Sequence, residues 1–515
     1  MTTPTRPHED DQQSTLTART TSSVMWMTGQ RWLSRLGALA TLVILTRLLA
    51  PEDFGLASAA VTLMPLLYVL ADVGFSTYIV QVEKLEERTL GTAFVFALGC
   101  GAVLTVAIAG TAPLLGAMLD APEVAGLIQV MSASVMVVAV SSVPISLLRR
   151  RMAFRPLAVM EMSSTLVAQA VAVAAAFSGA GAWALILQIL VSQTVYGIWA
   201  WIAARWVPVL RFSRTEFTQM ARFGAPVVGS GLIGMARAWL ETVIIIGFVG
   251  VREMGFIVIA QRLVYTAQDM SVSAVAPVAT SAFARARTSV ERLRAAYVRA
   301  STVTYVAVTP LLLFVAVAAP VLVPFFFGAD KAPSAELVPP LVAIILFNVG
   351  WAVDQGMYLG SGRPRLYFVL VATTVVVSLA ALALGAQFGL HVMLAVWVVM
   401  AALEAVARWV MARAVLGIDL WQAAAPVVGL LVPAAFTIVA GLGVLAATEG
   451  VYEIVRLALV GVTMLAVYLL ATRVTRPKAY REVVSMVPAR LIAIVARLRP
   501  ARTRSGRTRE DDGDA

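Results

Sequence analysis

Two stretches decide the fold: ILTRLLAPEDFGLASAA, from Ile44 to Ala60, and IGFVGVREMGFIVIA, from Ile246 to Ala260. They superpose at a spacing of 200 residues. Ala50 then falls on Gly250, Asp53 on Glu253, Gly55 on Gly255 and Ala60 on Ala260. Each stretch joins the first two helices of a set. A glycine and an acidic residue at matched places in two apolar stretches imply an internal duplication.

The chain around them suits a bilayer. It has 515 residues, of which 60% are hydrophobic and 13% charged; a soluble domain carries roughly 25% charged residues. A hydrocarbon core of about 30 Å needs roughly 20 apolar residues per helix. That ruler gives spans at 24–49, 55–80, 91–117, 124–148, 157–178 and 181–204. A second set lies at 225–249, 254–282, 301–327, 338–360, 366–388 and 390–413, and a final pair at 424–446 and 451–472. Six spans separate the two repeats, so both enter the membrane in the same direction. The expectation is an all-α integral membrane protein of about fourteen helices. Two pseudo-symmetric six-helix lobes are related by an axis along the membrane normal, with two C-terminal helices added.

The loops agree with an even count. Basic residues favour the cytoplasmic side. With the N-terminus inside, inner loops hold Arg149, Arg150, Arg151 and Arg155, then Arg205, Arg211, Arg214 and Arg222. Later ones hold Arg285 through Arg299, then Arg363 and Arg365. The outer loops are short and acidic, with Glu52, Asp53, Asp120, Glu123, Asp330, Glu336, Glu449 and Glu453. Both termini are therefore expected in the cytoplasm. The division is a disordered polar tail over 1–22, a first lobe over 23–210, a second over 211–415, two further helices within 416–474 and a basic tail over 475–515. Residues 479–499 mix apolar residues with arginines and read as an interfacial helix, broken at Pro488.

Several classes drop out. The formal charge of +11 would suggest nucleic acid in a soluble chain. Here the cations lie between apolar runs, where membrane orientation explains them. Cys100 is the single cysteine, so neither an internal disulfide nor a cysteine metal site can form. There is no GxxxxGK[ST] loop. No outer loop is large enough for a catalytic domain. No cofactor or metal is expected, and a membrane glycosyltransferase or polymerase is disfavoured.

Charges inside spans are costly and mark function by default. Arg31 and Arg35 share a face of the first helix, and Arg47 lies near its outer end. Asp72 lies in the second helix. Arg237 and Glu241 in the seventh are four apart and able to pair. Arg262 and Asp269 are in the eighth, Asp354 in the tenth, and Glu404 and Arg408 in the twelfth. Arg31, Arg35, Arg47, Arg237 and Arg262 are the candidate substrate-binding residues, since the guanidinium fork binds phosphate bidentately. Asp72, Glu241, Asp269 and Asp354 are candidates for ion coupling or charge balance. Each also has a structural reading: Arg31 and Arg35 snorkel to headgroups, Arg47 pairs with Glu52 or Asp53, and the four-apart pairs neutralise one another.

The run TRLLAPEDFGLASAA followed by LADVGFSTYIVQ, with GFIVIAQRL from Gly255 to Leu263, resembles the polysaccharide-exporting flippases of the multidrug/oligosaccharidyl-lipid/polysaccharide superfamily. The matching positions include Arg47, Pro51, Asp53, Phe54, Gly55, Asp72, Gly74, Phe75, Ser76 and Gln81. The resemblance implies two bundles rocking about a central cavity in the plasma membrane. Its cargo would be a polyprenyl-pyrophosphate-linked oligosaccharide, moved from the inner to the outer leaflet. Polysaccharide polymerase and glycosyltransferases are its implied partners, and the last two helices would help hold the lipid tail. A drug or cation exporter of the same superfamily remains the alternative; it calls for a site of carboxylates and aromatics.

Overall fold

The computed structural model describes residues 43–486 apart from 73, 83–84, 119, 152, 287–289 and 361–363, with 37 and 40–41 besides. The expected tails at 1–22 and beyond 486, and Arg31 and Arg35 with them, lie outside the described residues.

Helix is the dominant structure, and no strand occurs among the described residues. Ten helical stretches are long and apolar enough to cross a membrane. They are Pro51–Asp72, formed by α1 (Pro51–Val61) and α2 (Met64–Asp72), then α4 (Glu87–Met118), α5 (Glu123–Arg150), α6 (Phe154–Phe177) and α7 (Ala182–Ala204). In the second half they are α10 (Val290–Phe327), α13 (Pro364–Ala386), α14 (Leu390–Leu416), the pair α15 (Leu420–Val428) and α16 (Leu431–Ala447), and α17 (Glu453–Thr475). Short α3 (Phe75–Gln81) continues the second span. The expected spans at 225–249, 254–282 and 338–360 are filled by α8 (Arg214–Phe248), α9 (Val251–Ala286) and the pair α11 (Pro333–Asn348) and α12 (Trp351–Gly360). A helical run over 43–48 ends the first span. Ten apolar spans and these three account for thirteen of the expected fourteen among the described residues; the first lies largely outside them.

The less apolar helices α8 and α9 carry Arg237, Glu241, Arg262 and Asp269. They belong inside the bundle, where such side chains find partners or water.

Breaks in the helices have local causes. Gly74 sits at φ +75°, a left-handed conformation that glycine adopts without steric cost, and it separates α2 from α3. The Asp72 carboxylate accepts the Ser76 hydroxyl at 2.6 Å and the Ser76 amide at 3.3 Å, capping the start of α3. Proline leaves the carbonyl four residues earlier without its helical donor. In α10, Pro310 does this to Val306, and the buried Tyr468 hydroxyl of α17 donates to that oxygen at 3.0 Å. In α4, Pro113 does it to Ala109, and Gln129 Nε2 of α5 donates there at 3.5 Å. Proline positions thus specify where neighbouring helices dock.

The C-terminal helices α16 and α17 pack on α10, with Leu313 and Val317 against Val460 and Met464. The described part of the expected interfacial segment is helix α18 (Pro477–Met486). It packs on α10 and α17 with Ala479 buried. Just before it, Arg476 donates to the Ala425 carbonyl and lies against Gly429. Burial holds this guanidinium below its usual value.

Basic residues at the other helix ends do similar work. Arg150 Nη1 donates to the carbonyls of Ile79 and Val82, Arg151 to Ala204 and Arg294 to Leu416. Unpaired carbonyls at helix C-termini attract cations. Arginines read as orientation signals therefore also cap helices.

Candidate functional site

The two repeats meet face to face. Helix α1 crosses α9 so closely that a Cβ added at Gly55 would lie 2.0 Å from the Val251 carbonyl oxygen. One added at Gly255 would lie 1.8 Å from the Pro51 carbonyl oxygen. Residues 51 and 55 thus contact 255 and 251, the mirror arrangement that a two-fold axis between the lobes requires. The flanking residues obey the same operator. Glu52 Oε1 pairs with Arg252 Nε at 3.1 Å. Asp53 accepts the Ala50 amide at 2.9 Å, and the Glu253 carboxylate lies against Gly250. Ala60 and Ala260 are both fully buried. The other Asp53 oxygen accepts the Ala182 amide at 2.9 Å, which fixes α1 to the start of α7. Arg47 donates to the Phe325 carbonyl at 2.7 Å, a further bond from the first lobe to α10; it does not pair with Glu52 or Asp53. Two turns beyond Gly55, Thr242 donates to Thr62 at 3.4 Å across the same seam. The lobes are therefore shut against each other at the end of the bundle that carries the acidic loops.

Toward the basic end, α8 and α9 bear the charges. Arg262 stands seven residues beyond Gly255, about 10 Å along the helix at 1.5 Å per residue, and is exposed. Asp269 follows two turns later and is exposed as well. On α8, Arg237 Nε binds Glu241 Oε1 at 2.7 Å, as the four-residue spacing leads one to expect. Its Nη1 stands 3.6 Å from Glu404 Oε1 of α14. Tyr265 of α9 lies within the field of both Arg237 and Glu241.

Asp354 sits in a different setting. It is buried, accepting Arg408 Nη1 at 3.0 Å and the Tyr297 hydroxyl at 2.9 Å. The α11–α12 break at Val349 and Gly350 leaves the Phe347 carbonyl free, and Arg408 Nη2 and the Tyr305 hydroxyl donate to it. Trp351 lies 5.1 Å from the Arg408 guanidinium carbon. This network holds a bent helix together. Asp72, consumed by Ser76, does similar local work in the first lobe.

The structure thus groups Arg237, Glu241, Arg262 and Asp269 on α8 and α9, and sets Arg47, Asp72 and Asp354 elsewhere. Sequence spacing links Glu404 to Arg408, four residues on, yet each pairs with a different helix. Glu404 joins the Arg237 group, and this its own spacing could not signal.

Two pseudo-symmetric lobes, shut at one end over arginine- and carboxylate-bearing helices, define a membrane transporter. Residues 44–336 match the model of the polysaccharide biosynthesis protein family, and the chain belongs to that family. It is 27% identical over 362 residues to the succinoglycan biosynthesis transport protein ExoT of Rhizobium meliloti, covering 69% of this chain and 72% of that one. It is 24% identical over 357 residues to the lipopolysaccharide biosynthesis protein WzxC of Escherichia coli, covering 68% and 71%. Among solved structures it resembles the lipid II flippase MurJ in an inward closed conformation. That match has a TM-score of 0.71 at 11% identity and covers 89% of this chain and 100% of that one. It also resembles an inward-facing multidrug resistance transporter of the same superfamily, at TM-score 0.60 and 17% identity, covering 75% and 94%. At these identities the structural matches show the fold, the multi-helix membrane architecture expected from the sequence.

Proposed function

We propose that this chain flips a polyprenyl-pyrophosphate-linked oligosaccharide across the plasma membrane, from the inner to the outer leaflet, by alternating access during cell-surface polysaccharide synthesis. The observation that carries the reading is the crossing of Gly55 and Gly255. It closes one end of the lobe interface above the charged faces of α8 and α9. With both termini in the cytoplasm the closed end faces outward, and the cavity awaits substrate from within.

The chemistry suits an anionic headgroup. Arg237 and Arg262 supply guanidinium forks, with Arg31 and Arg35 proposed to complete the set from the first helix. Asp269 and Glu241 balance their charge when the cavity is empty. The cell interior is negative, and moving one charge through 100 mV is worth roughly 2.3 kcal/mol, so the potential favours export of a pyrophosphate. An apolar cleft at the lobe seam, lined by Ala59, Leu63, Leu115 and Trp239, offers the lipid tail a compatible surface. A drug-cation exporter would need carboxylates free to meet the cation. Here, of the four candidate carboxylates, Glu241 is bound to Arg237, Asp354 to Arg408 and Asp72 to Ser76, which leaves Asp269 against the several arginines. The chain is read as a transporter and not as an enzyme; the polymerase and glycosyltransferases that make and use its cargo are separate partners.

The test is the leaflet distribution of lipid-linked glycan in cells depleted of the protein. The expected result is accumulation on the inner leaflet, reversed by the native gene and not by the triple variant Arg31→Ala, Arg35→Ala, Arg262→Ala at equal protein level. An unchanged distribution on depletion would sink the reading.

A further inference from the structure

At the shut end the two lobes touch along the crossing of α1 and α9 and part beside it. A cleft of about 310 Å³ lies there, and its walls come from both lobes. Leu63 of α1, Met118 of α4 and Ile128 of α5 form one side; Trp239, Thr242 and Phe248 of α8 form the other. Met118 and Phe248, in the last turns of their helices, are 71% and 55% exposed and make the rim. The large residues exposed along α4 before this rim are Val103, Val106 and Leu114, an apolar surface that faces lipid. The cleft therefore opens on the bilayer.

Its lining is nearly all hydrocarbon. Among the described residues it holds no charge or amide, and Thr242 brings the one hydroxyl. That hydroxyl is engaged with the Ala238 carbonyl at 3.0 Å and with Thr62 at 3.4 Å. Besides it only the Trp239 indole N–H is polar. A trapped water needs several polar partners, whereas an apolar void takes up apolar guests.

We propose that the cleft holds an acyl chain of a bilayer phospholipid, and that this chain is a wedge that keeps the end shut. The size fits. A water takes about 30 Å³ of liquid and a methylene is of similar bulk, so the cleft has room for roughly ten chain carbons. The source follows from place. Cargo enters at the basic end, and until then the lipid within reach of the rim is the leaflet itself. The cargo's tail meets the same surface only after its headgroup has crossed. The wedge follows from the walls. Opening the lobes at this end carries α8 away from α1, α4 and α5 and removes one side of the cleft. The chain thus binds the shut state alone, and a ligand that binds one of two states shifts the equilibrium toward it. The site needs no assumption about cargo; the wedge rests on the reading of the chain as an alternating-access transporter.

Gly247 supplies the means of testing it. It lines the same cleft, and a Cβ added there meets no atom within 4 Å. Gly247→Leu can therefore fill the space from α8. Leu115→Phe fills it from α4 and serves if the first variant fails to fold.

Two measurements on the full chain in nanodiscs decide the matter. The first uses phosphatidylcholine brominated along its acyl chains, since bromine quenches an indole that it touches. The Trp239 signal is the difference between each chain and the same chain with Trp239→Phe. It is expected to be quenched in the native background and protected in Gly247→Leu. An unquenched Trp239, or equal quenching with the cleft filled, overturns the site. Relief of the quenching by a few molecules of polyprenyl phosphate per disc overturns the phospholipid as occupant in favour of the carrier tail.

The second measurement reads the shut population. Spin labels on Glu52→Cys and Arg252→Cys, with the single native cysteine removed by Cys100→Ser, broaden each other's spectra when the end is shut. Decane is the probe. At about ten times its dissociation constant it is expected to raise the shut-to-open ratio about tenfold, and to leave Gly247→Leu unmoved. A ratio that stays level or falls in the unfilled chain, or rises equally in both, overturns the wedge. Labels that remain fully coupled under every condition overturn the wedge and the alternating-access reading together.

Discussion

Gly55 and Gly255 stand 200 residues apart and share one crossing, each facing the backbone carbonyl four residues before the other. No side chain fits at either place unless the helices separate. Gly55→Ala and Gly255→Ala should therefore weaken the closed end specifically. Overpacking of this kind costs about 1–3 kcal/mol. Glycan export is expected to fall by about tenfold, since 1.4 kcal/mol is a factor of ten in an equilibrium, while the protein still reaches the membrane. Export assays at matched protein level check this; native export from both variants would show that the crossing is not a gate.

The Glu52–Arg252 pair beside it makes a contrasting case. Both side chains are largely exposed, at 45% and 63%. Exposed ion pairs contribute roughly 0–1 kcal/mol. Glu52→Gln should shift the melting temperature little, and export should change far less than with either glycine variant. A loss as large as that of Gly55→Ala would move the gate from the backbone contact to the ion pair.

These two cases mark what the sequence makes legible. The duplication can be read because backbone crossings and short caps constrain residue type at fixed spacing: glycine at 55 and 255, an acid at 53 and 253. The Arg237–Glu241 pair can be read because i and i+4 share a helix face. Partnerships between distant helices cannot. Glu404 and Arg408 have the same spacing, but Arg237 and Asp354 reach them first from α8 and α12. Asp72 looks like an intramembrane charge until Gly74 breaks the helix and turns it into a cap.

Tyr468 and Pro310 offer a quantitative test of helix docking. Tyr468→Phe leaves the Val306 carbonyl buried without a donor, which costs roughly 1–3 kcal/mol. Pro310→Ala restores the N–H that the helix lacks. The two changes should be strongly non-additive: Tyr468→Phe is expected to lower the melting temperature clearly in the native chain and much less in the Pro310→Ala background. Equal effects in both backgrounds would show that the hydroxyl does not serve the proline.

The last prediction separates charges that hold the fold from charges that meet substrate. Asp354 and Arg408 have side chains 3% and 2% exposed, and the guanidinium also reaches the Phe347 carbonyl at the helix break. Removing the carboxylate with Asp354→Ala leaves a buried cation, at a cost of about 3–5 kcal/mol. That is comparable to much of a domain's net stability, so the variant should fail to accumulate in the membrane. Arg262 is exposed on α9. Arg262→Ala therefore leaves no buried charge behind, and the variant should accumulate normally yet lose export. Arg262→Lys should recover only part of that loss, because an ammonium meets a phosphate as a point charge and lacks the bidentate fork. Membrane abundance and export, measured side by side for the three variants, decide the matter. If Asp354→Ala accumulates while Arg262→Ala disappears, the roles of the two charges must be exchanged.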